Sequence, residues 1–361
     1  MLYILSCNLN FYNIFLYISD NESKKMLTLP MEKSYKAKSQ NTKEKAESRQ
    51  HQEKDYIKTL TMNKNNYLPT RQELINVYRT TMNAVEKGAY TTDDGTVVEL
   101  DDDSEMQENS RLYSHKFTVN DIPAYPTPTL IAVENTDSIS AGKHLLDEGY
   151  RPAVLNFASR THAGGGVMNG SRAQEESLFR QTNLFRSLYQ FTPNAENFGL
   201  STNRRQYPMD REFGGVYTPY ATVFRTGDRE GNKFLTHPFK LSFISVAAIN
   251  HPALVDDNGN EVEDNSKVAD CRIAPRDVAT TLNKMRTIFR IGLSHGHDAL
   301  VLGAFGCGAF ANPPLHIAQL FKQVMEEREF KNKYRKIVFA VIEDSNSRNH
   351  NLLPFLTVFG K

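Results

Sequence analysis

HAGGGVMNGSRAQEESLFRQTNLF, His162–Phe185, places three consecutive glycines seven residues ahead of Gln-Glu-Glu, which opens an apolar pattern. Just upstream, PAVLNFAS (152–159) is an apolar run that reads as a buried strand feeding the glycines. Without a Cβ, Gly164, Gly165 and Gly166 can take positive φ and let a ligand touch bare backbone. Their amides can converge as an anion nest. Ser171, three residues before Gln174, resembles the first half of a capping box and is expected to be the helix N-cap. Gln174, Glu175 and Glu176 then fall near the helix start, with Leu178, Phe185 and Leu188 on its buried face. Adjacent helical residues point about 100° apart, so the two glutamates are expected to hold different jobs. A helix N-terminus lowers a carboxylate's pKa, whereas a general acid needs a raised one. Burial and the neighbouring negative charge would have to win.

A second stretch repeats the theme. VLGAFGCGAFANPP (301–314) sets Gly303, Gly306 and Gly308 after an apolar strand and before a proline-started helix. Free amides and a helix start favour a diphosphate there. Neither the P-loop spacing nor the dinucleotide fingerprint is present. Outward from these two stretches, strands and helices alternate. TLIAVEN (129–135), VYTPYATVFR (216–225), FKLSFISVAAI (239–249), DALVLGAF (298–305) and KIVFAVIED (336–344) read as strands. PTRQELINVYRTTMNAVEKG, DSISAGKHLLDEG, PRDVATTLNKMRTIFRIGLSHG and PPLHIAQLFKQVMEER read as helices, and Asp93 to Glu108 as a solvated loop or hairpin. The alternation predicts an α/β sandwich on a mostly parallel sheet, with ligands beyond the C-terminal strand ends.

The 361 residues are 39% hydrophobic and 24% charged, with a net charge of +1. No global basic field exists to collect nucleic acid, so an anionic ligand must be held by local devices. Three cysteines, Cys7, Cys271 and Cys307, give neither a disulfide framework nor a metal knuckle, and favour a reducing compartment. Residues 21–61 carry ten Lys/Arg against six Asp/Glu and few large apolar residues, the composition of a tail. Residues 1–18 are apolar but interrupted by Asn8, Asn10 and Asn13; they lack a basic n-region, and Met31 or Met62 are alternative starts. The expectation is a disordered or mis-assigned extension over 1–61 and a single catalytic domain over 62–361. The location is read as cytoplasmic (or nuclear in a eukaryote), with secretion or anchoring by residues 1–18 kept open.

Three features are read as structural. His295 and His297 in HGHD lack a third ligand at metal spacing. Cys307 has no basic neighbour to activate it. Tyr217, Tyr220 and Phe224 fit core packing better than adenine stacking, and NRRQ (203–206) reads as surface.

The glycine triplet, the seven-residue spacer and Gln-Glu-Glu together resemble the signature of the poly(ADP-ribose) glycohydrolases, which are catalytic macrodomains. GAFGCGAFANPP (303–314) resembles the later phosphate loop of the compact bacterial and fungal members, and YTPYATVFR (217–225) a segment between the two. The resemblance runs from about Leu68 to Phe359. It implies a three-layer α/β/α macrodomain-like fold with a mixed central sheet, a monomer, and no metal or other cofactor. It implies hydrolysis of ribose–ribose bonds of poly(ADP-ribose) from chain ends, with ADP-ribose released and ADP-ribosylation reversed, as in a DNA damage response. By position, Glu176 is implied as general acid/base and Glu175 as the holder of ribose hydroxyls. Asn156, Gly164, Gly165, Gly166 and Gln174 are implied around the ribose and diphosphate, with Gly306, Cys307, Gly308, Ala309 and Phe310 wrapping the diphosphate. The usual glycosidase plan sets two carboxylates on opposite sides of the bond; neighbours in sequence are poorly placed for that, so one acid/base must serve both steps. A non-catalytic ADP-ribose reader, and a hydrolase of mono-ADP-ribose on protein or nucleic acid, stay open as alternatives.

Overall fold

The computed structural model describes residues 68–360, except 121, 194, 201–206, 264 and 344–349. The readings of residues 1–61, of Cys7, Met31 and Met62, and of the 203–206 turn lie outside the described residues.

The chain enters through α1 (Arg71–Lys87). Thr70 and Glu73 form a reciprocal capping box at its start, and Gly88 closes it at φ 67°. Leu74, Tyr78, Thr81 and Ala84 recur at helical spacing on its buried face. The acidic stretch that follows is a hairpin, Ala89–Thr91 against Val97–Glu99, and then a short helix, Ser104–Asn109.

The central sheet has seven strands: β1 (Arg111–Tyr113), β2 (Leu130–Glu134), β3 (Pro152–Phe157), β4 (Gly215–Arg225), β5 (Phe234–Val246), β6 (Ala299–Leu302) and β7 (Lys336–Ala340). Their spatial order is β1-β4-β5-β3-β6-β7-β2. The five from β5 to β2 are parallel, while β4 and β1 add an antiparallel edge. The sheet is thus mixed, as the family resemblance implied. A fully buried parallel strand is apolar on both faces, as Pro152–Leu155 of β3 and Ala299–Leu302 of β6 are; Asn156, also buried, is the polar exception at the site end.

Alternation along these strands sorts the layers. Val154, Val301 and Val338 pack with residues of α1, of α2 (Ser138–Asp147), of α3 (Gln174–Gln181) and of α4 (Leu184–Tyr189). The opposite side takes α5 (Pro275–Ser294), α6 (Pro314–Glu326) and α7 (Leu352–Phe359). There Gly292 lies against Leu300, and Phe339 meets Phe321 and Phe355. Three layers, α/β/α, result. Among the described residues no helix is long and apolar enough to cross a membrane.

Candidate active site

Strands β3 and β6 are hydrogen-bonded neighbours running the same way, so both glycine loops leave the same end of the sheet side by side. Phe157, closing β3, meets Phe305 of the second loop edge to face at 6.2 Å.

Helix α3 is anchored to the strand end by its first residue. The Gln174 side chain accepts from the Phe157 amide at 2.9 Å and donates to the Leu155 carbonyl at 2.7 Å. It also reaches Ser138 Oγ at 3.1 Å. It behaves as one more rung of sheet, which fixes the helix start over the strand end. The N-cap is Ala173, without a side-chain cap, rather than Ser171. Ser171 belongs to the loop instead, its carbonyl taking a bond from Arg180 at 2.8 Å. Arg180, fully buried, also pairs with Asp228 at 2.8 Å.

The two glutamates turn inward from the first helical turn. Glu175 is 2% exposed; its Oε2 accepts from the Ser159 amide at 2.7 Å and its Oε1 from the Gly164 amide at 3.1 Å. Asn156, wholly buried beneath it, reaches Oε1 at 3.4 Å and Ser245 Oγ at 3.0 Å. Glu176 accepts from the Gly166 amide at 2.9 Å through Oε1, while its Oε2 is enclosed without a hydrogen-bond partner among the described residues. Desolvation pushes Glu175 up from 4.5 to about 8, against the lowering by the Ser159 amide and with a further upward push from Glu176. At this carboxyl burial outweighs the helix end and the amides.

The glycines are explained by what lies against them. A Cβ on Gly164 would enter the Phe179 ring, and one on Gly166 would strike Ser171. A Cβ on Gly165 would stand 2.5 Å from Glu176 Oε1, and its φ of 53° is itself unfavourable for an L side chain. The Gly165 amide donates to the His162 carbonyl at 3.0 Å. The nest expected for a ligand's diphosphate therefore cradles the chain's own carboxylates, because amides at a dry strand end must be paired.

The second loop keeps its amides open. Those of Gly306, Gly308, Ala309 and Phe310 donate to no group among the described residues. Asn312, fully buried, braces the loop: its Nδ2 donates to the carbonyls of Ile249 at 2.8 Å, Gly306 at 3.1 Å and Phe310 at 3.1 Å. Neither Asn312 nor Ser159 was singled out in the sequence. The Asn-Pro-Pro run after the glycines is the signal that marked Asn312; Ser159, acting through its amide, leaves none. Gly308 and Ala309 are exposed, Phe310 is half-buried, and Cys307 is buried with its thiol pushed far up by desolvation, which makes it inert.

The remaining features lie elsewhere; Tyr220, read as core packing, is instead 57% exposed at φ 51° on the strand. His295 stacks on Tyr217 at 3.6 Å, and His297 Nε2 lies 2.9 Å from the Tyr217 hydroxyl. Phe224 packs with Tyr90 and Phe234. Among the described residues no three His, Cys, Asp or Glu side chains are grouped to hold a metal.

The α/β/α sandwich thus sets a carboxylate pair, cradled by glycine amides, at the ends of its strands. Residues 78–226 match the family described as microbial-type PARG, catalytic domain. Solved structures agree. The poly(ADP-ribose) glycohydrolase of Thermomonospora curvata is 25% identical, over 80% of this chain and 100% of that one, at a TM-score of 0.63. The same enzyme with the inhibitor ADP-HPD bound matches at 25% identity over 79% and 99%, with a TM-score of 0.61. The Deinococcus radiodurans glycohydrolase in complex with ADP-ribose matches at 25% identity over 72% and 98%, with a TM-score of 0.53. A search of curated proteins finds no match. Over residues 78–226 the chain thus matches the microbial-type PARG catalytic domain, and its fold is similar to that of the bacterial poly(ADP-ribose) glycohydrolase structures.

Proposed function

We propose that residues 62–361 act as one catalytic domain that hydrolyses the ribose–ribose O-glycosidic bonds of poly(ADP-ribose) from chain ends, with Glu176 as the acid/base. The observation that carries this is the unpartnered Glu176 Oε2, beside an Oε1 locked by the Gly166 amide. A buried polar atom left unpaired costs roughly 1–3 kcal/mol, and a bound substrate oxygen relieves that cost.

In this reading Glu176 protonates the leaving ribose oxygen through Oε2. The C–O bond breaks, and the carboxylate so formed faces the oxocarbenium-like carbon. Water then attacks that carbon and Glu176 takes its proton, which restores the acid. Glu175, whose proton burial retains at neutral pH, adds no second negative charge beside it, and its carboxyl is oriented toward ribose hydroxyls by Ser159, Gly164 and Asn156. Asn156 and Gln174 serve by holding Glu175 and the helix start rather than by touching the sugar. The open amides of Gly306, Gly308, Ala309 and Phe310 bind the diphosphate, and Phe310 flanks the reacting ribose. No metal or cofactor takes part, and the chain works as a monomer on free polymer or on modified proteins, with ADP-ribose as product.

Incubation of the chain with poly(ADP-ribose) and, separately, with mono-ADP-ribosylated protein tests the reading. Release of ADP-ribose from polymer is expected. Binding of ADP-ribose without release from either substrate would make the chain a reader; release from the mono-modified protein alone would change the substrate.

A further inference from the structure

Helix α1 has a second stripe besides its buried one. Glu73, Asn76, Val77 and Thr80 recur at helical spacing and, with Pro69 and the turn Gly231–Asn232, line a groove of about 330 Å³. That volume lies at the low end for a small-ligand site, and matches one nucleoside better than a whole dinucleotide. Asn232 is 3% exposed, sits at φ 53°, and has a side-chain oxygen that is enclosed and without a partner among the described residues. Its backbone is fixed instead: its carbonyl accepts from Arg225 at 2.6 Å and its amide donates to Gly227 at 3.0 Å. A buried carboxamide held by its backbone, with no intramolecular partner for its oxygen, suits the donor edge of a nucleobase or a sugar hydroxyl.

The groove adjoins the glutamates' loop. Arg172 donates to the Pro69 carbonyl, and Gly170 packs directly on the Arg71 backbone. Gly170 and Arg172 stand within six residues of Glu176. On the far side, the turn bearing Asn232 is tied to α3 by the Arg180–Asp228 pair. Arg71 and Lys233, both exposed, lie within two residues of the lining residues Pro69 and Asn232, and Arg172 bonds Pro69; Lys233 also pairs with Asp93 at 3.8 Å, and Glu73 is the one acidic residue of the lining.

We propose that this groove is a second subsite for poly(ADP-ribose), taking the nucleoside of the unit beyond the scissile bond; the proposal rests on the glycohydrolase reading above. A polymer chain leaving the glutamates must cross neighbouring surface, and this hollow is linked to their loop through Arg172 and Pro69. Holding a second unit there makes binding bivalent, so that an oligomer binds more tightly than ADP-ribose alone.

Calorimetric affinities for ADP-ribose and for a short poly(ADP-ribose) oligomer, both in the Glu176→Gln background so that polymer persists, test this. Two further substitutions are compared: Asn232→Gly, which keeps the positive φ and deletes the amide, and Val77→Phe, which fills the groove from an incompletely buried helix position. The oligomer is expected to bind about tenfold more tightly than ADP-ribose, and each substitution to erase that gap while ADP-ribose affinity stays unchanged. Equal binding of oligomer and ADP-ribose at the outset, a gap that survives both substitutions, or an equal loss for both ligands would overturn the subsite. Failure of polymer hydrolysis by the unsubstituted chain would strike the catalytic reading and leave this affinity gap readable.

Discussion

The Gly166 amide donates to Glu176 Oε1 at 2.9 Å and leaves Oε2 of the same carboxylate buried and unpaired. One oxygen is held and the other is enclosed without a partner among the described residues, the one the proposed mechanism uses. A carboxyl so fixed can pass a proton to one oxygen and recover it from another without searching rotamers, which is what a single residue serving both steps needs.

Gly165 is the position where that arrangement is most easily broken. Gly165→Ala sets a Cβ 2.5 Å from Glu176 Oε1 and 3.4 Å from Glu175 Oε2. We expect kcat to fall about 100-fold, since a displacement of roughly an ångström costs that much. Strain at positive φ should lower stability by only about 1–2 kcal/mol. Steady-state kinetics beside thermal unfolding separate the two effects; a normal kcat would show that the carboxylate does not need its present place.

Glu175 predicts a pH dependence of stability. Its folded pKa of about 8 lies above the ordinary 4.5. Between these values the folded chain binds a proton that the unfolded chain has released. Stability should therefore decline as pH rises through that window, by at most about 1.4 kcal/mol per unit from this group, and the contribution should level off above it. Denaturant titrations at about pH 5 and pH 8 check this. Glu175→Gln, neutral throughout, is expected to flatten the profile; an unchanged slope would place the proton elsewhere.

Gln174 is expected to matter for stability more than for ligand contact. Gln174→Ala removes the partners of the Phe157 amide and the Leu155 carbonyl at the end of β3. A loss of about 2 kcal/mol follows if one of these stays unpaired. A calorimetric Tm close to that of the unsubstituted chain would show that water replaces the side chain.

Much of this was legible in the sequence, for identifiable reasons. The apolar runs at 152–155 and 299–302 read as buried parallel strands because neither face carries polar residues. Gly88 and Asp137 mark helix ends by local chemistry alone. The Gln-Glu-Glu triplet does fall in a first helical turn. Ser171 misled because the helix starts two residues later, after Ala173, where Gln174 is clamped to strand residues 17 and 19 positions away in sequence; local propensity has no access to that contact. The glycine amides misled for a similar reason. Spacing shows that amides converge, not what they converge on, and here they meet the chain's own carboxylates.

The most direct test of the central claim is single-turnover hydrolysis of poly(ADP-ribose) by Glu176→Gln, with ADP-ribose affinity measured on the same preparation. The account predicts a loss of at least about 1,000-fold in the rate of ADP-ribose release, within the span of general acid–base catalysis, and an affinity within about threefold of the unsubstituted chain. Release at the unsubstituted rate would contradict it.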